Sequence, residues 1–363
     1  MTYSVIHVGI GNQGINWCEH YLPRNVEKGL IDVVAAVDID EDALERAKPH
    51  LDLSDEQCYT DLERAFEEHS VDICTVATPP SVHEAAVDVA LEHDAHVLCE
   101  KPIADTLEAS VRIAEKVEWS GKKMGVTMSH RFDRDKTTLR RELRSGDHGR
   151  LDYLVLRFTC NCRSFGSWGG EWKYEMDDPL LVSGGIHHLD ILADLAESRC
   201  ETVYANTWNP PWGDFAGNAQ ALLNLMFENG VKATYEGAKT NAACVNGWGH
   251  EYIRAESEDA TLVLDERELV RYPYDPDEEP QAARGVDPDD GHRIPLHERE
   301  TWTNAWLVEQ FVDWIDGGER MATNVRDNLY STATVFAAIE SDRRGEPVDV
   351  QEFLRDARTR AAD

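Results

Sequence analysis

The sequence predicts an α/β protein of two domains, the first a doubly wound parallel sheet over residues 1–129, the second a sheet-rich domain over 130–363. Three observations carry this. Short apolar strands alternate with helical patterns through the first third of the chain, a glycine-rich run closes the first strand, and after about residue 130 strands succeed one another with few helices between. At 363 residues the chain exceeds one typical domain and suits two.

In the first third, strands are expected at Val5–Val8, Ile31–Val37, Ile73–Ala77, His96–Cys99 and Met124–Met128. Helical periodicity fills the gaps: Gln13–Tyr21, Glu41–Ala47, Asp61–Glu68, Ser81–Glu92 and Thr106–Trp119. Continuous apolar strands mean burial on both faces, as in a parallel sheet covered by helices. Further on, Leu151–Cys162, Glu201–Thr207, Gln220–Phe227, Val231–Ala238, Tyr252–Glu256 and Ala260–Leu264 read as strands of a mostly antiparallel sheet, with a hairpin signal at Glu228-Asn229-Gly230. Asp275–Asp290, acidic and proline-bearing, reads as an exposed loop, and helices are expected at Thr303–Asp316 and Arg326–Ser341.

A formal net charge of −33 repels nucleic-acid phosphates and anionic lipid, which argues against both as partners. The carboxylates are spread evenly, a pattern suited to a salt-loving organism, where concentrated salt screens them. The N-terminus runs straight into a strand pattern, and no stretch reaches about 18 apolar residues, so neither a secretion signal nor a membrane span is expected and a cytoplasmic protein is. The eight cysteines form no C-x-x-C pair and read as reduced thiols. Cys160 and Cys162 would share one strand face, yet no second ligand pair follows, so no metal is expected.

Val8-Gly9-Ile10-Gly11-Asn12-Gln13-Gly14 is a G-x-G-x-x-G pattern in its proper context, between a strand and a helix. Gly9 permits the tight turn, Gly11 the approach of a pyrophosphate, and Gly14 the close packing of helix on strand; Asn12 and Gln13 open the helix whose N–H groups face the phosphates. This is the Rossmann fingerprint. Asp38, 24 positions after Gly14 at the end of the second strand, would accept from the adenosine ribose hydroxyls and repel a 2′-phosphate, which favours NAD over NADP. Thr78-Pro79 ends the third strand, where loops line the ligand crevice, and His83 lies on the following helix.

Glu100-Lys101-Pro102 ends the fourth strand and aims a lysine at the same crevice. Some 80 residues on, Ser183-Gly184-Gly185-Ile186-His187-His188-Leu189-Asp190 opens a helix, with His187 and Asp190 three apart on one face. With Phe311-Val312-Asp313-Trp314-Ile315 near the end, these motifs resemble the glucose–fructose oxidoreductase / inositol dehydrogenase / rhizopine catabolism family, over nearly the whole chain. The resemblance implies a Rossmann domain and a C-terminal open-faced sheet that pairs subunits into a homodimer or homotetramer. It implies hydride transfer between a nicotinamide and a secondary alcohol or carbonyl of a sugar, polyol or inositol. Lys101 would hold and polarise the reacting oxygen and His187 would be the general acid/base. The family often carries an Asp four positions before that His; this chain has Ser183 there.

The residue types suit that chemistry. A base titrating near neutrality must take the hydroxyl proton while a cation meets the developing alkoxide. Arg131, after the fifth strand, and Arg163, Trp168 and Trp172 are further substrate contacts on this reading, the tryptophans as a sugar-stacking platform. The competing functions are an NAD-dependent glycosidase, working by transient oxidation and elimination, and a non-catalytic cofactor-binding regulator.

Overall fold

A computed structural model describes residues 1–277, 285 and 290–362. The chain divides into two units. The first comprises Met1–Ser129, Glu300–Thr332 and Leu354–Asp363, and the second His130–Arg299 and Ala333–Phe353. The chain thus divides after residue 129, but residues 300–332 and 354–363 group with the first unit and not with the second, as a two-segment split at 129/130 would have it. The physical reason is visible in Asn25, which is buried and donates from Nδ2 to Ala305 O at 3.1 Å, and in Val126 N, which donates to Thr323 O at 2.8 Å.

The first unit holds a six-stranded, all-parallel sheet in the order β3-β2-β1-β4-β5-β6. Its strands are β1 (Tyr3–Val8), β2 (Ile31–Val37), β3 (Cys58–Tyr59), β4 (Ile73–Val76), β5 (His96–Cys99) and β6 (Met124–Val126). The order reverses between β1 and β4, the switch point at which doubly wound sheets bind ligands. All four residues of β4 are buried, as helices on both faces require. The helices are α1 (Asn12–Asn16), α2 (Leu22–Glu27), α3 (Glu41–Leu51), α4 (Leu62–Glu68), α5 (His83–Glu92) and α6 (Leu107–Ser120). A π-helical turn, Trp17–Tyr21, joins α1 to α2, so the helix expected to end at Tyr21 continues. Asp40 caps α3 by accepting from Asp42 N, and Thr106 caps α6 by accepting from Ala109 N.

The second unit holds a nine-stranded sheet in the order β14-β13-β12-β11-β7-β10-β9-β8-β15. Its strands are β7 (Leu151–Thr159), β8 (Cys200–Trp208), β9 (Gln220–Phe227), β10 (Lys232–Ala238), β11 (Tyr252–Ser257), β12 (Ala260–Asp265), β13 (Glu268–Pro273), β14 (His292–Ile294) and β15 (Val348–Asp349). Every pair is antiparallel except β7–β10. The hairpin at Gly230 is present, with Gly230 at φ +88°. Burial alternates along β9, leaving Leu222, Asn224 and Met226 exposed on one face, where Trp208 also stands. The other face carries α7 (Arg134–Ser145) and α8 (Ile186–Ala196). The chain closes with α9 (Thr303–Ile315), α10 (Val325–Arg344) and α11 (Val350–Ala362). Most of the loop expected at Asp275–Asp290 lies outside the described residues. No described helix is long and apolar enough to cross a membrane.

Candidate active site

In the first unit, the glycine loop leaves the carboxyl end of β1. A Cβ on Gly9, at φ +88°, would meet Ala77 C and Thr78 Cγ2 at 2.8 Å, and one on Gly14 would meet Gly9 O at 1.9 Å. These two positions are closed by the protein itself. A Cβ on Gly11 would meet nothing within 4 Å, so the loop has open space on the side where the fingerprint expects a pyrophosphate. Asn12 and Gln13 are exposed at the start of α1, and Thr78 Oγ1, beside Gly9, is buried with no hydrogen-bond partner. The open cradle and the orphaned hydroxyl fit a bound dinucleotide. Asp38 is half-buried and turned inward: Oδ2 accepts from Ile10 N, and Oδ1 accepts from Asp40 N at 2.9 Å. It therefore braces the glycine loop.

Glu100 is the hub of this edge. Its Oε1 accepts from Trp17 Nε1 at 3.0 Å, Asn304 Nδ2 at 3.2 Å and Gln13 Nε2 at 3.5 Å, and its Oε2 accepts from Lys101 N at 3.3 Å. With 7% exposure it accepts from these protein donors and so ties the helix start to the Lys101 turn. Lys101 is half-buried at the end of β5. His83 also turns inward. It is fully buried, with Nε2 2.9 Å from Thr78 O and Nδ1 3.1 Å from Pro102 O, and so it links the Thr78 and Lys101 turns from below. Pro79 is exposed beside Thr78.

In the second unit, Ser183 ends up in a π-helical turn, Leu181–Gly185, that leads into α8, and His187 sits in the first turn of that helix, 5% exposed. The His187 ring lies 5.3 Å from Trp248 and 5.6 Å from His130, both edge to face. Arg131 is half-buried, with Nη1 3.4 Å from Asp190 Oδ1 and 3.9 Å from Asp194 Oδ1; its charge is met by protein carboxylates. Arg163 donates from Nε to Thr240 O at 3.0 Å and lies 5.8 Å from the Trp212 ring. Trp168 is half-buried and packs against the Tyr174–Phe215–Ala219 cluster, whereas Trp172 is 42% exposed. Cys160 and Cys162 face one side, Sγ to Sγ 3.4 Å. Their hydrogen bond pushes the Cys160 thiol up and the Cys162 thiol down to about 7.

The comparisons with known proteins now bear on these two edges. Residues 4–128 match the model of an oxidoreductase family with an NAD-binding Rossmann fold, and residues 143–350 match the C-terminal alpha/beta domain of the same family. The chain belongs to the Gfo/Idh/MocA oxidoreductase family. It is 48% identical to the y4oX protein of Sinorhizobium fredii over 362 residues, 100% of this chain and 99% of that one. It is 30% identical over 233 residues to an inositol 2-dehydrogenase of Corynebacterium glutamicum, covering 64% of this chain and 66% of the relative. An oxidoreductase from Agrobacterium radiobacter, solved in complex with NAD+, L-tartaric acid and magnesium, superposes with TM-score 0.81 at 20% identity, over 97% of this chain and 99% of that one. The protein is an NAD-binding oxidoreductase.

The family's frequent Asp is absent at Ser183, and the structure shows what replaces it. Ser183 Oγ accepts from Lys239 Nζ at 2.7 Å and donates to Pro179 O. Lys239 is fully buried, also donates to Pro179 O at 2.7 Å, and lies 4.6 Å from the Trp168 ring. Asp178, the other nearby acid, is taken by Asn218 Nδ2 at 3.0 Å, and burial pushes its carboxyl up. Sequence reasoning passed over Lys239, Asn304, Trp248 and Glu251, because nothing in an isolated Lys, Asn, Trp or Glu announces burial.

Proposed function

We propose that the protein is an NAD-dependent dehydrogenase that oxidises a secondary alcohol of a sugar, polyol or cyclitol, or reduces the corresponding carbonyl. The observation that carries this is the Glu100 hub. One carboxylate binds Gln13 and Trp17 of the dinucleotide helix and the backbone of Lys101, so cofactor loop and lysine are built as one piece. The bound nicotinamide supplies the hydride chemistry. Lys101 holds the substrate oxygen and meets its growing negative charge, and His187 takes or returns the hydroxyl proton. Relatives named as inositol 2-dehydrogenase and as 1-carboxy-3-chloro-3,4-dihydroxycyclohexa-1,5-diene dehydrogenase act on ring alcohols, which supports a cyclic polyol as substrate class. The protein works as a homodimer or homotetramer through the exposed face of its larger sheet, where Trp208, Leu222 and Met226 stand. A panel of inositols, hexoses, pentoses and uronates with NAD and with NADP tests the function. Net reduced NAD supports a dehydrogenase; product sugar without net cofactor turnover means a glycosidase, and no turnover on any alcohol overturns the reading.

A further inference from the structure

Behind His187, the second unit buries a set of charges that the proposed reaction does not use. His130, in the turn Ser129–Phe132, has Nδ1 2.8 Å from Asp133 Oδ2 and Nε2 2.8 Å from Glu251 Oε1. A neutral imidazole owns a single N–H, so one of these contacts would set a lone pair against a carboxylate; only a ring protonated on both nitrogens satisfies both. Glu251 Oε2 is 2.8 Å from Lys136 Nζ, which lies 3.5 Å from Asp135 and 3.6 Å from Asp133; Arg267 lies 3.8 Å from Asp135. Three carboxylates, Asp133, Asp135 and Glu251, thus face Lys136, Arg267 and His130, and the charges cancel only with His130 charged. The Trp248 indole stacks flat on the His130 ring, centroids 4.5 Å apart at 11°, as a π face does on a cation.

We infer that His130 is a permanent buried imidazolium and a positioning residue for His187: a fixed positive charge that keeps its neighbour in the proton-accepting form. The inference rests on the role proposed for His187. The two rings are 5.6 Å apart, and a like charge at that range opposes protonation. Asp190 on its own helix is engaged by Arg131, Lys239 stands at Ser183 one turn back, and Glu251 lies beyond His130 and is occupied by it and Lys136. His188 turns Nδ1 to Tyr235 OH at 3.0 Å and Nε2 toward Glu251 Oε1 at 3.6 Å, and burial lowers it to about 4, so it adds no charge. Burial also pushes His130 down, but Glu251 and Asp133 outweigh it and leave it raised; burial likewise pushes Glu251 up, but His130 and Lys136 hold it well below the carboxylate range. The chain therefore sets a cation beside His187.

His130, His188 and Glu251 also lie close enough to ligate one metal ion. A metal would take the place of the proton on His130 Nε2 and leave the buried set with surplus positive charge beside Lys136. This makes the two accounts separable.

The test labels the wild-type protein with ¹⁵N-histidine and follows the ring nitrogens from pH 5.5 to 9, with His130→Gln to assign the signals. The inference expects both His130 nitrogens to carry protons throughout. A neutral His130 at pH 7, or a stoichiometric metal on the purified protein by mass spectrometry, overturns it. Asp133→Asn, which removes one carboxylate at a partly exposed position, should bring His130 into titration in this range; an unmoved His130 counts against the inference. In kinetics, the acid limb of kcat/KM should move to higher pH by about one unit in His130→Gln, because loss of the cation lets His187 protonate sooner. An unmoved limb with both nitrogens protonated overturns the coupling. If His187→Ala keeps full activity and the wild-type pH profile, the role of His187 falls, while the nitrogen signals still report on His130.

Discussion

Two buried carboxylates organise the two units, and they do so in opposite ways. Glu100 collects neutral donors: an indole, two side-chain amides and a backbone N–H. Glu251 collects the charged His130 and Lys136 together with Gly249 N at 2.9 Å. A hub of neutral donors fixes geometry and leaves one negative charge at the sheet edge, close to Lys101. A hub of charged donors cancels itself locally and fixes the protonation state of what it holds. The first suits a place where a cation must be aimed, the second a place where a proton must be kept in position.

The sharpest way to break this comparison is to neutralise each carboxylate in turn. Glu251→Gln leaves the buried set with one unmatched positive charge and should cost about 3–5 kcal/mol. Glu100→Gln keeps an acceptor oxygen for the same neutral donors and should cost about 1 kcal/mol. Denaturant titrations compare them; equal losses would mean that Glu251 is not the centre of an ionic set.

Next in size is the glycine loop. Gly11→Val should lose NAD affinity by about a hundredfold or more while melting as the wild type does, since a Cβ there meets no protein atom. Gly14→Ala, whose Cβ would strike Gly9 O, should instead lower the melting temperature. Calorimetric NAD titration beside thermal melts separates the two, and a Gly11→Val protein that binds NAD normally would contradict the cradle.

The Ser183–Lys239 pair tests the second unit more gently. Lys239→Met removes the buried ammonium that donates to Ser183 Oγ and shares Pro179 O with the Ser183 hydroxyl, and should cost about 1–3 kcal/mol. Ser183→Asp should be tolerated, because Lys239 is placed to pair with the new carboxylate. A Ser183→Asp protein that melts far below Lys239→Met would show that the two do not face each other.

The legibility of these regions follows from their physics. The parallel sheet announces itself because strands buried on both faces must be apolar throughout, and the fingerprint because only glycine fits at Gly9 and Gly14. Hydrophobic patterning is blind to α7: its sequence is mostly charged, yet it buries Asp135, Lys136, Thr137 and Thr138, and three of these meet partners distant in sequence, Arg267 at Asp135, Glu251 at Lys136 and His297 N at Thr138. The short β3, β14 and β15, two or three residues each, fall below any periodicity. Likewise His83 and Glu100 were readable as part of the site, but their inward aim depends on backbone carbonyls and donors that only the fold assembles.

A smaller effect should appear in acid. Arg112 holds the Glu84 carboxyl down to about 2, with Lys116 adding to this against the opposing effect of burial. A depressed carboxyl contributes stability above its unfolded value near 4.5, lost as pH falls from there toward 2. Glu84→Gln should therefore melt slightly lower than wild type at pH 7, with the gap closing toward pH 2; a gap that is constant with pH would contradict the pairing.

The most direct test of the account measures NAD reduction by a cyclic polyol in wild type, Lys101→Ala and Glu100→Gln, with NAD affinity measured alongside. The account predicts turnover in the wild type, a fall in kcat of about a hundredfold or more in Lys101→Ala with NAD affinity nearly unchanged, and a much smaller fall in Glu100→Gln. Full turnover in Lys101→Ala would contradict it, because the lysine carried at the sheet edge would then have no part in the chemistry.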